Sequence, residues 1–467
     1  MRKLGSFRLV SVSVFALVPL ASWLAAAPAL ALDPDDRAEA PSLPSDDGPS
    51  SDPHVARLEE EMADLKERLR QSEEERRSAG SKLTINGYAD LGFFVPIGGG
   101  VGWVRDTGNM QFPDQTKFAW TFLGDILAPA VNSRGEPASV GNEPGFPRFD
   151  SVNSNGAPGF IANEVNLRLG YALTERALLR TGINFVPRAG MNFYSGDFAE
   201  VDTAELEYVA TDDGKTSFFV GKTLPVFGIE YKERRADQRF GVTPSLLARY
   251  TAGSQLGLKF RSKLLNDWLI VAGAITNNSS GTEMFVFSNE IAQHSGKTLN
   301  GRVALSIPVG EMLPGLGGDT RVEVGASAEW GPQDWARDNS GKIWFAGVDL
   351  QVLAANFAVK GQFMRGGAPG RAEDGAWGLD LRNAGYLELN WLPLSWLGVL
   401  GRADLRDALV WLGLDRIYIT KEYRLTGGLR VVLNPHIALK AEFLHTQEYG
   451  MAQIKNDIGT SSLVLSF

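Results

Sequence analysis

The nine C-terminal residues, Gly459–Phe467, read GTSSLVLSF and largely alternate between polar and apolar side chains. Leu463, Leu465 and Phe467 share one parity, and Thr460, Ser462 and Ser466 share the other; Ser461 and Val464 are the exceptions. A strand of a membrane-spanning barrel has this alternation, because one face meets lipid and the other faces water in the lumen. This stretch therefore predicts an all-β, transmembrane antiparallel barrel.

The N-terminal residues have the features of an export signal. Arg2, Lys3 and Arg8 precede an apolar run from Leu9 to about Leu24, and Ala29-Leu30-Ala31 has the small-x-small pattern of a cleavage site. We therefore predict a signal peptide over 1–31. No later stretch approaches the roughly 20 apolar residues of a membrane-spanning helix. The chain has no cysteine, which excludes a disulfide framework and thiolate metal sites.

Composition changes twice after the signal. Residues 32–53 are rich in Pro, Ser and Asp, and they predict a disordered acidic linker. Within 54–80, apolar residues recur at spacings of 3 and 4: Val55, Leu58, Met62, Leu65 and Leu69. This heptad pattern predicts a short periplasmic α-helical coiled coil, and the alternative is a single amphipathic helix. Residues 32–81 hold 15 acidic and 7 basic side chains, so much of the net charge of −9 lies before the barrel.

The remaining residues, 82–467, predict the barrel. Tight turns such as Thr174-Glu175-Arg176 alternate with longer Gly- and Asp-containing loops, as in barrels with short periplasmic turns and long external loops. We predict about 16 strands, with 18 as the alternative, and we place the strand-like segment 118–126 in the first external loop. The predicted strands lie near 83–95, 161–173, 177–187, 200–211, 215–224, 254–263, 267–276, 298–309, 320–330, 342–353, 357–366, 380–392, 397–406, 418–433, 437–446 and 457–467.

Aromatic side chains gather near the predicted strand ends, as expected where a barrel crosses the two membrane interfaces. The set at the short turns is Tyr171, Trp268, Phe357, Trp391, Trp396 and Phe467, and the set toward the outer ends is Phe185, Trp330, Trp344 and Phe443.

The connection after the fifth strand is long and dense in charge. Its start, Gly221–Glu230, reads GKTLPVFGIE and resembles the strand-to-loop element of sixteen-stranded bacterial porins, including the phosphate-selective porin O and P family. Residues 245–257 resemble the return of that loop into the next strand. The resemblance implies an outer-membrane channel narrowed by an inserted constriction loop, 225–252. Val226 and the run 232–239 depart from the family pattern, so no substrate follows from it.

Side-chain parity predicts which charges face the lumen. Candidate pore-lining and constriction residues are Arg168, Arg180, Arg402, Arg406, Arg424, Arg430, Lys440, Lys222, Glu230, Lys232, Arg234, Arg235, Asp237 and Arg239. The parity of Lys222 is ambiguous. A closed barrel of sixteen strands places strands 13–15 opposite a loop that leaves strand five. The arginines of those strands therefore predict a basic wall facing the loop, although inward charges can also simply pair with one another.

These patterns favour a water-filled channel for passive diffusion of small hydrophilic solutes or ions, with a mild anion preference. Expected partners are outer-membrane lipid, two further copies in a homotrimer, and barrel-insertion machinery, since Phe467 resembles the C-terminal signal that such machinery recognises. No cofactor, metal or nucleic acid is expected. The alternative is a structural or adhesive barrel with a plugged pore and a periplasmic coiled-coil spacer. An enzyme is disfavoured because the four histidines are scattered and no Gly-x-Ser-x-Gly motif occurs.

Overall fold

The computed structural model describes residues 82–97, 103–105, 120–122, 158–185, 199–281, 295–313, 320–333, 341–368, 377–412, 415–417, 422–448 and 457–467. The predicted signal peptide (1–31), linker (32–53) and coiled coil (54–80) lie outside these residues, so all three stay predictions.

Sixteen antiparallel strands form one sheet that closes on itself, which confirms the predicted fold class and strand number. They are β1 (Leu83–Ile97), β2 (Gly159–Ala172), β3 (Ala177–Phe185), β4 (Ala199–Val209), β5 (Thr216–Thr223), β6 (Gln255–Leu264), β7 (Leu269–Thr276), β8 (Thr298–Ile307), β9 (Arg321–Pro332), β10 (Lys342–Ala354), β11 (Phe357–Ala368), β12 (Trp377–Leu394), β13 (Leu397–Leu412), β14 (Glu422–Asn434), β15 (Ile437–Glu448) and β16 (Asp457–Ser466). The seam is the pairing of β1 with β16, from Tyr88 opposite Ser466 to Ile97 opposite Asp457. Closure leaves no edge strand, which a barrel in lipid requires.

Two short additions do not change the strand count. Trp120–Phe122 pairs with Trp103–Arg105 in a separate two-stranded sheet, so the segment 118–126 lies outside the barrel sheet, as predicted. Asp415–Ile417 pairs with the outer end of β13.

The two faces of the wall have opposite chemistry. On β9, the outward side chains of Val324 and Trp330 are about half exposed (51% and 49%), whereas the inward Glu323 and Glu329 are buried. The predicted aromatic set at the short turns is likewise outward, with Phe357 stacked on Trp391 at a centroid distance of 6.0 Å. An apolar belt between two aromatic rings fits a surface covered by lipid. No helix among the described residues is long and apolar enough to cross a membrane.

The connection from β5 to β6, residues 224–254 (hereafter the inserted loop), folds into the lumen. It contains a 3-10 turn, Glu230–Glu233, and a short helix α1, Ala248–Thr251. A second short helix, α2 (Val309–Met312), lies between β8 and β9 at the short-turn end. Phe227, Leu247 and Tyr250 of the loop are fully buried in a lumenal apolar cluster with side chains of β10–β13. The barrel therefore has a core inside its lumen, built by the loop.

Candidate functional site

The first part of the inserted loop is held against β9 and β11. The Gly228 amide donates to Ser327 Oγ at 3.0 Å, and the Ile229 amide donates to Gln362 Oε1 at 3.0 Å. Gly228 has φ +68°, and a Cβ there would lie 2.1 Å from Gln362 Nε2. Both the left-handed backbone and the close approach require glycine at this position.

The middle of the loop crosses to the opposite side of the lumen. Arg234 and Arg235 both pair with Asp202 of β4, the second at 2.7 Å. Arg168 of β2 donates to Asp237 at 2.6 Å. On the β9–β11 side, Lys360 pairs with Glu233. The loop is therefore bonded to facing walls of the barrel by charged groups.

The return of the loop binds the basic wall of β13–β15. Arg402 donates to the carbonyl of Thr243 at 2.8 Å and to that of Pro244 at 3.0 Å, and Arg424 donates to Pro244 at 2.7 Å. Glu442 accepts hydrogen bonds from the amides of Val242 and Thr243 at 2.7 and 3.0 Å.

Two further cations of this wall have the same role. Lys440 donates to the carbonyls of Ala236, Arg239 and Gly241, and Arg406 Nε donates to Tyr250 Oη at 2.8 Å. Most of the wall thus satisfies backbone carbonyls of the loop, which would otherwise be buried without partners.

Glu230 is the loop carboxylate whose protonation is most perturbed. Burial in the lumen raises its pKa to about 7, although hydrogen bonds from the Ser245 amide (2.8 Å) and hydroxyl (2.6 Å) act in the opposite direction. Partial burial of Lys232, whose side chain keeps 43% exposure, also lowers the pKa of its ammonium group, and the neighbouring Glu323 partly offsets this. Both groups lie in the 3-10 turn, so protonation of Glu230 in the neutral range affects the part of the loop that crosses the lumen.

A cavity of about 340 Å³ remains between the loop and β1–β4. Its charged lining side chains are Arg168, Arg180, Arg235 and Glu205. The neutral polar residues of the lining are Thr84, Asn86, Thr181 and Thr203, and the wall is completed by Leu169, Gly170, Leu178 and Leu224. Arg180 pairs with Glu207 at 2.5 Å and yet keeps 45% of its side chain exposed, whereas Glu207 keeps 9%. The cavity thus presents mainly cationic hydrogen-bond donors to a solute.

Apart from the loop residues Glu230, Lys232, Arg234 and Asp237 described above, the predicted site residues fall into three groups. Arg168, Arg180 and Arg235 line the cavity. Arg402, Arg406, Arg424 and Lys440 are buried at 0–4% exposure against the loop, with Arg239 buried inside the loop itself and Arg430 over the ring of Phe240 at 5.5 Å. Lys222 pairs in register with Ala204 and Leu256, on the outward parity of β5, so the structure does not bring it into the lumenal group.

Sequence reasoning did not identify the acidic residues of the barrel wall that bind the inserted loop. Asp202 and Glu442 bind the loop directly, and Asp404 accepts from the Leu246 amide at 3.1 Å. The parity of Asp404 and Glu442 in their strands places them in the lumen, but nothing in those strands indicates a loop partner more than 150 residues away. The position of Asp202 in the lumen could not be predicted from the alternation of β4, because the pairing of β4 with β3 shifts by one residue at a bulge between Gly182 and Ile183.

Solved structures with similar folds are bacterial outer-membrane proteins. The outer-membrane channel DcaP of Acinetobacter baumannii superposes with a TM-score of 0.50 at 10% identity, covering 84% of this chain and 98% of that chain. OmpF of Salmonella typhi gives 0.49 at 9% identity over 82% and 97%. OprB of Pseudomonas putida gives 0.48 at 9% identity over 84% and 96%. No protein-family model and no curated protein matches the sequence.

At these identities the DcaP likeness concerns the fold, and the predicted relation to phosphate-selective porins stays a prediction. Three observations independently agree with this fold: the closed sheet, the sixteen strands and the apolar outer surface. The chain therefore folds as a sixteen-stranded transmembrane β-barrel of the kind found in bacterial outer-membrane channels.

Proposed function

We propose that this protein is an outer-membrane porin, a water-filled channel for passive diffusion of small hydrophilic solutes. A barrel of sixteen strands is wide enough for an aqueous channel, and the inserted loop narrows it. The charged and hydroxyl groups in the mixed lining of the remaining cavity suit hydrated solutes, and its volume of about 340 Å³ suits small ones.

A mild anion preference rests on one observation, the unequal exposure of lumenal charges. Arg180 and Lys232 keep 45% and 43% of their side chains exposed, whereas the carboxylates that pair with them, Glu207 and Glu323, keep 9% and 12%. A solute therefore contacts the exposed cations more than the buried carboxylates, and such an arrangement favours the passage of anions.

Planar-bilayer recording in a salt gradient tests both parts of the proposal. Stable single-channel openings support a channel, and a reversal potential of the sign set by the more permeant anion supports the preference. A folded barrel without conductance would contradict the channel, and a reversal potential at zero or of opposite sign would contradict the selectivity.

A structural barrel with a closed lumen is the second candidate. It is favoured by the bonding of the loop to facing walls, through Arg235 with Asp202 on one side and Arg402 with Thr243 on the other. The same recording distinguishes the two candidates, because a barrel with a closed lumen gives no single-channel openings.

The remaining assignments complete the proposal. The barrel acts as a homotrimer in the outer membrane, with residues 32–80 in the periplasm and no catalytic role. Phe467 is taken as the contact for insertion machinery. This is supported by its position at the seam, where its amide and carbonyl exchange hydrogen bonds of 3.0 Å with Gly87 while its ring is exposed.

A further inference from the structure

The cavity between the inserted loop and β1–β4 has a hydroxyl beside a guanidinium at the level nearest the short turns. Gly170 of β2 is in register with Thr84 of β1 on one side and with Arg180 of β3 on the other. A Cβ on Gly170 would lie 2.5 Å from Thr84 Oγ1, so the hydroxyl occupies the place that a side chain would take. The wall at this level therefore offers a solute the Thr84 hydroxyl and the Arg180 guanidinium side by side.

A second polar level lies two residues farther along the strands, about 6.6 Å from the first. Asn86 of β1 is opposite Arg168 of β2, and Thr203 of β4 lies at the same level across β3. The hydroxyl of Thr203 and the amide of Asn86 can each donate and accept hydrogen bonds, as the hydroxyl groups of a solute require. The two levels together suit a solute that carries several hydroxyl groups.

Two of the three arginines in the cavity wall are already paired. Arg168 pairs with Asp237 at 2.6 Å, and Arg235 of the inserted loop pairs with Asp202 at 2.7 Å. Asp202 also pairs with Arg234, so these five groups carry one positive charge in excess.

The third arginine, Arg180, is the one that a solute can reach. Its guanidinium lies 2.5 Å from Glu207 and 3.6 Å from Glu205, yet its side chain keeps 45% exposure. Lys259 lies 3.9 Å from Glu205, so this second group of charges is neutral. Among the described residues, the lining charges and their ion-pair partners thus leave one positive charge. One carboxylate balances it, whereas a second negative charge would be repelled by Glu205 and Glu207.

The cavity also has apolar side chains. Leu178 shares the lumenal face of β3 with Arg180, and Leu224 begins the inserted loop; both are half-buried. Lys259 Nζ donates to the Leu224 carbonyl at 3.0 Å, which fixes the start of the loop. Such side chains contact the C–H groups of a carbon skeleton, which a halide or a phosphate ion lacks.

We propose that this cavity binds a sugar acid with a single carboxylate, such as a hexuronate. Arg180 binds the carboxylate, Thr84, Asn86 and Thr203 bind the hydroxyl groups, and the leucines contact the C–H face of the ring. The volume of about 340 Å³ lies at the lower end of the roughly 300–1,000 Å³ of small-molecule sites. The inference rests on the proposed channel function and names the class of solute for it.

Isothermal titration calorimetry of the refolded full-length protein in detergent micelles tests the site, with D-glucuronate as the probe and empty micelles as the blank. Glucose lacks the carboxylate, cyclohexanecarboxylate lacks the hydroxyl groups, and glucarate carries a second carboxylate. Glucuronate should bind the wild type at least about ten-fold more tightly than each of the three, since each loses a charge-assisted or hydroxyl hydrogen bond or gains a repulsion.

Variants assign the contacts, and heat-modifiable electrophoretic mobility checks that each is folded. Arg180→Gln should reduce glucuronate binding to the level of glucose and leave glucose binding unchanged. Thr84→Val combined with Thr203→Val should weaken glucuronate binding by about ten-fold without changing that of cyclohexanecarboxylate. Arg261→Gln is the matched control, because it removes an exposed lumenal cation of β6 that is not part of the cavity wall, and it should bind like the wild type.

Glu205→Gln gives a test with the opposite sign, because it removes a carboxylate that repels a second negative charge. It should strengthen glucarate binding relative to glucuronate binding. Equal binding of glucuronate, glucose and cyclohexanecarboxylate by the wild type would overturn the proposal, and so would a glucuronate preference that survives in folded Arg180→Gln. A barrel that conducts ions without this preference would refute the sugar-acid site alone, whereas one that binds glucuronate without conducting would refute the channel alone.

Discussion

Arg402 on β13 and Thr243 in the inserted loop are joined by two hydrogen bonds, from the guanidinium to the Thr243 carbonyl at 2.8 Å and to its hydroxyl at 3.0 Å. Arg402 also pairs with Asp404 at 3.0 Å, and it is 4% exposed. One side chain thus links the wall to the loop and compensates a buried carboxylate. The basic wall of β13–β15 therefore holds the inserted loop in place.

Replacing Arg402 with Gln should release the return of the loop. The buried Asp404 would lose its nearer partner and keep Arg424 at 3.6 Å, and breaking a buried pair costs up to about 3–5 kcal/mol. We expect larger single-channel conductance and a lower urea midpoint of unfolding. Arg261→Gln is the control, because Arg261 is exposed and lies over the ring of Phe219 at 5.7 Å, away from the return of the loop. Unchanged conductance in Arg402→Gln would show that the loop is held without this residue.

Selectivity should depend on the exposed cations rather than on the buried wall. Arg180→Gln combined with Lys232→Gln removes the cations that keep 45% and 43% exposure, and it should lower the anion-to-cation permeability ratio by roughly two- to ten-fold. Arg176→Gln, at an exposed turn, should leave the ratio unchanged. The measurement is the reversal potential in a ten-fold salt gradient. An unaltered potential in the double variant would reject the cavity as the selective element.

Conductance should also depend on pH through Glu230. Its pKa is raised to about 7 in the docked loop, above the usual value of 4.5, so docking favours the protonated form. That contribution is fully present below about pH 4.5 and is lost as pH rises through about 7. We therefore expect a tighter loop and smaller conductance at pH 5 than at pH 8.

Glu230→Gln should remove this pH dependence while keeping an acceptor for Ser245. Asp213→Asn is the control, since hydrogen bonds from Thr211 and Lys215 hold the pKa of this exposed turn carboxyl below its usual value, outside the tested range. A pH-dependent conductance that persists in Glu230→Gln would assign the titration to another group.

The sequence predicted the barrel well because its signal is local. Alternation within ten residues and short turns such as 174–176 determine strands without reference to distant contacts. Closure geometry also placed β13–β15 opposite the loop. It could not show whether their basic residues line the pore and select ions or instead bind the loop. That distinction depends on pairs such as Arg402 with Thr243, which are 159 residues apart. Lys222 was ambiguous because Phe218 and Val220 indicate one parity and Phe219 the other; in the structure Gly221, at φ +120°, also interrupts the regular alternation just before it.

The apolar contacts of the loop give the last prediction. Leu247 is 1% exposed in the lumenal cluster with Tyr250 and Phe345, and Leu247→Ala should weaken loop docking by about 2–5 kcal/mol. Undocking would expose Arg234 and Arg235, so trypsin should cleave the variant within the loop and leave the wild type intact. Met312→Ala, which removes an exposed side chain at the end of α2, should behave like the wild type. Resistance of Leu247→Ala to trypsin, together with wild-type conductance, would mean that the polar fastenings alone hold the loop in place.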